Sequence, residues 1–390
     1  MAQVLVGLDV LARRVPGLLR GRRVALLCHQ ASVTRDLVHA VDVVRRLPGC
    51  GLVTLLVPEH GLYGAPQDHA HVPDTRDPAT GLRVRSLYGA RLEPAPGMLA
   101  GIDTVVVDLQ DVGSRYYTYL WTAALVMRAC ARGGIPVVVL DRPNPLGGEA
   151  LEGNLPDPRF ASFVGLYPLP TRHGMTIAEL AAYLNETHAI GADLTVVPMA
   201  GWQRSMWWAD TGLPWVAPSP NMPTLDTALV YPGGCLIEGT NLSEGRGTTR
   251  PFELVGAPYL DGTRLAAGLA RRRLPGVGFR AAAFAPMFQK WRGRFCGGVQ
   301  VHVLDRRRFR PVLTYLSLIA EARRQAPGGF RWRRPPYEFE WKRLAIDLLN
   351  GGDGIRRAIE RGVPVTRIAA SWAGDLAHFA RARRPYLLYS

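Results

Sequence analysis

Lysine is almost missing from this chain of 390 residues. Lys290 and Lys342 are the only lysines among 47 basic residues, and arginine carries the rest of a formal net charge of +15. Such a bias reads as GC-rich coding as much as selection for an anionic partner. The clusters Arg271-Arg272-Arg273, Arg306-Arg307-Arg308 and Arg331-Trp332-Arg333-Arg334 come with no helix-turn-helix, zinc-finger or RNA-recognition motif. They are read as solvated surface, and no nucleic-acid partner is expected. No stretch approaches the ~20 apolar residues of a membrane span. Met1 to Arg14 carries no basic segment followed by an apolar run, so no signal peptide is visible and a cytosolic setting is expected. The five cysteines are odd in number and show no Cys-x-x-Cys spacing, which suits reduced, buried thiols. G-x-G-x-x-G, G-x-x-x-x-G-K-[ST] and G-x-S-x-G motifs are all missing, so no nucleotide cofactor is expected. Asp68-His69-Ala70-His71 with Asp74 holds ligand-type residues at no standard ligand spacing. It reads as a polar loop rather than a metal site.

The chain does hold an unusual polar stretch, Ile237-Glu238-Gly239-Thr240-Asn241-Leu242-Ser243-Glu244-Gly245-Arg246-Gly247-Thr248-Thr249-Arg250. It offers carboxylates, an amide, guanidinium groups and hydroxyls between glycines, with little to bury in a core. Glycines there permit tight turns and close approach to a ligand. Similar chemistry follows short apolar runs upstream. Cys28-His29-Gln30 follows Val24 to Leu27, and Glu59-His60 follows the run from Leu52. Asp108 to Tyr117 follows Thr104 to Val107, and Asp141-Arg142-Pro143-Asn144 follows Val137 to Leu140.

Runs of four to six apolar residues that stop abruptly read as parallel strands buried on both faces. Helical patterns at Asp36 to Leu47, Tyr119 to Arg132 and Thr176 to His188 separate them, with a further strand at Asp193 to Met199. Alternating strands and helices predict an α/β, doubly wound parallel sheet whose ligands bind beyond the carboxyl ends of the strands. All four polar clusters then fall on one sheet edge. After the Pro-rich stretch Pro214 to Pro223 the pattern changes. Helices are predicted near Thr263 to Arg273, Pro311 to Arg324, Gly354 to Arg361 and Thr366 to Arg383, and strands at Phe279 to Phe284 and Gly298 to Leu304. A first domain over 1–229 and a smaller α+β domain over 230–390 are expected, with a cleft between them.

Carboxylates at strand ends suit glycoside hydrolysis, which needs one acid and usually a second group to attack or to activate water. Glu59 emerges from an apolar strand with His60 beside it, and the partial desolvation there suits a proton donor. Asp111, Glu238 and Glu244 compete for the second place. Arg115, Arg142, Arg172 and Arg246 suit a ligand carboxylate. Asn144, Asn221 and Asn241 suit hydroxyl or amide groups of a sugar, and Trp121, Trp202 and Trp215 offer stacking faces. Two other readings stay open: a different hydrolase of an anionic small molecule, with the same carboxylates and arginines, and a non-catalytic module for wall glycans or another anionic polymer, which would use the arginines without Glu59.

The motifs Pro58-Glu59-His60-Gly61, Gln110-Asp111-Val112-Gly113-Ser114-Arg115-Tyr116-Tyr117-Thr118-Tyr119 and Asp141-Arg142-Pro143-Asn144-Pro145-Leu146-Gly147-Gly148 resemble those of the bacterial exo-β-N-acetylmuramidase family. So do Arg172-His173-Gly174-Met175-Thr176, Pro218-Ser219-Pro220-Asn221-Met222-Pro223, and the Glu238 to Thr249 stretch. The resemblance runs from about Val24 to the Tyr386-Leu387-Leu388-Tyr389 end. It implies a Rossmann-like first domain, a smaller second domain, and release of N-acetylmuramic acid from the non-reducing end of peptidoglycan fragments. Peptidoglycan-derived muropeptides or disaccharides would be the substrates, with no cofactor. It also implies a glutamate acid at Pro-Glu-His-Gly and adds His173 to the substrate-binding candidates. Many relatives are exported, and the missing export signal is a departure from them.

Overall fold

The computed structural model describes residues 3–390. Five strands form the expected parallel ladder: β1 (Arg23–Cys28), β2 (Gly51–Val57), β5 (Thr104–Asp108), β6 (Val137–Leu140) and β7 (Leu194–Val197). The sequence did not suggest β3 (Thr75–Arg76) and β4 (Arg83–Ser86), which complete a seven-stranded sheet of order β3-β4-β2-β1-β5-β6-β7. β4 pairs parallel to β2, and only the two-residue β3 runs antiparallel, at the edge. Side chains alternate between two cores, as both-face burial requires. Ala25, Leu27, Leu56, Val105, Val107, Val137 and Val139 face one core. Val24, Leu26, Leu55, Val57, Val106, Val138 and Leu140 face the other. Helices Thr118–Gly133 and Ile177–Thr187 cover the first face, and Gly7–Arg14 and Ala40–Arg45 the second.

Local chemistry explains most of the boundaries. Thr176 and Glu179 form a reciprocal capping box that starts Ile177–Thr187. The helix expected from Asp36 starts only at Ala40, because Leu37 takes a left-handed backbone (φ 62°) and the His39 ring caps the amide of Val41. The helix expected over Thr366 to Arg383 is two helices, Val365–Ala370 and Ala373–Ala382.

The second sheet holds β8 (Leu254–Ala257), β9 (Val277–Phe284) and β10 (Cys296–Val303) in the antiparallel order β8-β10-β9. Gly262–Ala270 and Pro311–Gln325 pack beside it. The division expected between residues 229 and 230 falls inside a helix, Leu225–Gly234, that the sequence hides behind Pro232-Gly233-Gly234. Packing overrides the breakers here. A Cβ on Gly233 would lie 2.1 Å from the Pro311 carbonyl oxygen, so bare glycine backbone is what lets this helix meet Pro311–Gln325. One apolar core runs from the face of the large sheet through this junction into the small sheet. No helix among the described residues is long and apolar enough to cross a membrane.

Gly233→Ala should therefore force the two helices apart and destabilise the chain by about 3 kcal/mol. The check is a denaturant midpoint; a midpoint equal to the wild type would show that the junction yields freely.

Candidate active site

A small cavity opens where the ends of β2 and β5 meet the second half of the chain. Glu59 and His60 come from the β2 end, and Tyr116, Tyr117 and Thr118 from the loop after β5. Ser219, Asn221 and Met222 come from the Pro-rich stretch, while Glu238, Arg246, Tyr337 and Glu338 come from the second half.

Glu59 is buried and held from two sides. The Thr118 hydroxyl donates to its Oε2 at 2.8 Å, and the amide of His69 approaches Oε1 at 3.4 Å. Opposite stands Glu338, which no sequence motif singled out. The Tyr88 hydroxyl donates to Glu338 at 3.2 Å and also faces Glu59. His69 Nδ1 lies 3.2 Å from Glu338 Oε1. Burial, then the neighbouring Glu59 and Glu238, pushes the Glu338 carboxyl well above the usual range.

Arg246 supplies the counter-charge. It reaches Glu238 at 2.6 Å, Asp68 at 3.1 Å and Glu244 at 3.5 Å, and its guanidinium lies 4.9 Å over the Phe252 ring. Burial would raise the Glu238 carboxyl, but Arg246 and His69, with the Tyr337 hydroxyl, pull it down to about 2. Asp68 goes the other way: burial outweighs Arg246, and Glu238 and Glu244 raise it further. Lys290 pairs with Glu244 at 2.7 Å and donates to the carbonyls of Ile237, Thr240 and Leu242.

Of the candidates named from sequence, Glu59, His60, Asn221, Glu238 and Arg246 line this cavity. Glu244 stands one step back, behind Arg246 and Lys290. The rest are placed elsewhere, which corrects the expectation that they meet in the cleft. Asp111 does not line the cavity; it accepts from the Gly113 amide at 2.6 Å and lies 3.7 Å from the fully buried His173. Arg115 spends its donors on the carbonyls of Asn154, Leu169 and Leu349. Arg142 forks onto Asp108. Asn144 ties Leu146 to Met175, and Asn241 ties Tyr259 to Gly329 and Arg331. Arg172 belongs to a separate cavity. The arginine-rich cleft is thus a cleft with one arginine, already paired. None of Trp121, Trp202 and Trp215 reaches it; its aromatic wall is Tyr116, Tyr117, Tyr231, Phe252 and Tyr337.

The Asp68 to Asp74 loop divides between two settings. Asp68 and His69 are cavity wall, whereas Asp74 pairs with Arg85 and Arg91. Among the described residues no group of three or more His, Cys, Asp or Glu side chains is arranged to hold a metal ion. Signals for the overlooked residues did exist. Lys290 survives in a chain that uses arginine almost everywhere, and its compact ammonium meets a carboxylate and three carbonyls that a planar guanidinium fork would not match. Tyr337 and Glu338 sit in the run Pro335-Pro336-Tyr337-Glu338-Phe339-Glu340-Trp341, where aromatics and acids follow two prolines.

A carboxyl held low stabilises the fold above its unfolded-state value near 4.5, and that contribution fades as pH falls through 4 towards 2. Glu238→Gln should therefore lower stability at pH 7 by roughly 3 kcal/mol and flatten the fall between pH 5 and 2. Thermal unfolding across that range reads both effects. An unchanged slope would remove Glu238 from the acid response.

Comparison with known proteins agrees along the whole length. Residues 24–226 match the N-terminal domain of the exo-β-N-acetylmuramidase NamZ family, and residues 229–389 its C-terminal domain. The peptidoglycan β-N-acetylmuramidase NamZ of Bacillus subtilis (strain 168) is 46% identical over 387 residues, covering 99% of this chain and 92% of that one. A crystal structure of a DUF1343 family protein from Bacteroides fragilis superposes with a TM-score of 0.91 at 32% identity, covering 100% of both chains. A second from the same organism gives 0.79 at 28%, covering 100% of this chain and 99% of the other. This chain belongs to the NamZ family of exo-β-N-acetylmuramidases.

Proposed function

We propose that the chain is an exo-acting glycoside hydrolase that releases N-acetylmuramic acid from the non-reducing end of peptidoglycan fragments, with Glu59 as the proton donor. The observation that carries this reading is the pair of carboxylates lining the cavity, Glu59 and Glu338, one from each half of the chain, which both face the Tyr88 hydroxyl. Burial and the neighbouring Glu59 and Glu238 hold the Glu338 carboxyl well above its usual range, so the two carboxyl groups of the site differ in character. Glu59 protonates the leaving oxygen, and Glu338 is the second carboxylate that the chemistry asks for. A cavity closed by both halves accepts a chain end rather than the middle of a polymer, which suits exo action. The lactyl carboxylate of the sugar takes over Arg246 from Asp68, whose carboxyl is raised by burial. Five free thiols suit work in a reducing compartment on recycled wall fragments.

Turnover of 4-nitrophenyl β-N-acetylmuramide should exceed that of the N-acetylglucosamine analogue by about two orders of magnitude. One charge-assisted pair lost inside a buried site costs roughly 2–4 kcal/mol. Equal rates would reject recognition of the lactyl group.

Glu59→Gln should keep the fold, since the amide oxygen still accepts from Thr118. It should lower kcat by about 10²–10⁴-fold on a disaccharide and by less on a 4-nitrophenyl glycoside, whose leaving group needs less protonation. Glu338→Gln should be impaired on both substrates alike. If Glu338→Gln instead shows the leaving-group dependence and Glu59→Gln does not, the two roles are exchanged.

A further inference from the structure

Arg172 is the buried arginine whose charge is least provided for. Its side chain is 3% exposed. The guanidinium makes a single hydrogen bond, from Nη2 to the Leu146 carbonyl at 2.6 Å, while its buried Nε has no partner. No carboxylate lies within ion-pairing distance of it among the described residues. Arg115, Arg246 and Arg383 share the unpartnered Nε, but the other buried arginines are better supplied: Arg142 and Arg246 each hold a carboxylate, and Arg115 and Arg383 each hold three or more carbonyls. Glu152 is near, but burial pushes its carboxyl up to about 7, so it is a weak counter-charge at neutral pH. Burial likewise draws Arg172 down to about 10. A desolvated charge in this condition is costly and is relieved by an anion.

Arg172 lines a cavity of about 330 Å³ that shares no lining residue with the catalytic one. Its wall includes the Leu146-Gly147 turn, Arg204, Trp207 and Arg307. Arg172 lies 5.0 Å over the Trp207 ring and Arg306 lies 5.2 Å over the same ring, so the indole holds two guanidinium groups in place. Arg204 is neutralised by Glu179 at 2.6 Å, but Arg307 makes no ion pair among the described residues. The acid on this wall is Glu149, which is exposed. Small surface clusters of arginine are common and bind nothing in particular. A buried guanidinium with an unused Nε, held by an indole at the wall of a cavity, is a different arrangement, since planar forks of this kind match oxyanions.

We propose that this cavity is a second site, which takes a small oxyanion, a carboxylate or a phosphate, on Arg172 with Arg307 at its mouth. The proposal is independent of the hydrolytic reading, because none of these residues touches the catalytic cavity.

The test is equilibrium dialysis of the full chain against labelled inorganic phosphate and, separately, labelled acetate, at fixed ionic strength set by chloride. Saturable binding is expected for at least one of them. Phosphate alone assigns a tetrahedral anion, and both together assign oxyanions in general. Arg172→Met should weaken binding by about tenfold or more, the loss of one charge-assisted fork. Arg307→Ala, an exposed position that tests the site even if Arg172→Met folds poorly, should weaken it by about threefold. Turnover of 4-nitrophenyl β-N-acetylmuramide should be unchanged in Arg307→Ala, which separates this site from the catalytic cavity. Absence of saturable binding of either anion overturns the proposal. So does binding of equal strength in the wild type and Arg307→Ala.

Discussion

The Arg246 guanidinium touches Glu238, Asp68 and Glu244 together, and the packing of acids around the cavity is tolerable only because it does. Glu59, Asp68, Glu238, Glu244 and Glu338 would repel one another strongly in a desolvated site without it and Lys290. The loop that carries Arg246 is shaped for close approach. Gly245 and Gly247 both take left-handed backbone, and a Cβ on Gly247 would lie 2.7 Å from the Phe288 amide nitrogen. Asp68 follows β2 while Arg246 belongs to the second half of the chain, so the same ion pair that neutralises the cavity also holds its two walls together.

Much of this was legible in the sequence for a simple reason. Strands buried on both faces read as unbroken apolar runs, and the residues after them fall at the ligand edge of a parallel sheet. Glu59 and His60 could be placed that way, as could the turn-rich loop bearing Glu238 and Arg246. The arginines could not. Residue type alone does not tell whether a guanidinium ends on a carboxylate, as Arg142 does on Asp108, or on backbone carbonyls, as Arg115 does. That outcome depends on which carbonyls tertiary packing leaves over.

Glu338 and Asp68 escaped for a different reason. Asp68 sits in an ordinary polar loop and Glu338 in an aromatic run that matches no motif, and their chemistry appears only when burial desolvates them. The helix Leu225–Gly234 was hidden by its own breakers: Pro232-Gly233-Gly234 reads as a turn until the packed carbonyl of Pro311 shows what the glycines are for. In each case local preference was overruled by a contact distant in sequence, and those contacts are the ones that join the halves of the molecule.

The hydrogen bond from Tyr88 to Glu338 spans 250 positions, and this distance matters during synthesis. A chain leaving the ribosome completes β2, β4 and the Glu59 turn early, since N-terminal parts emerge and fold first. It then has a carboxylate without its partner, without Arg246 and without a closed wall. Only when about the last eighth of the chain emerges can the cavity close. A product that stops short of Tyr337 and Glu338 therefore leaves that wall of the cavity unbuilt.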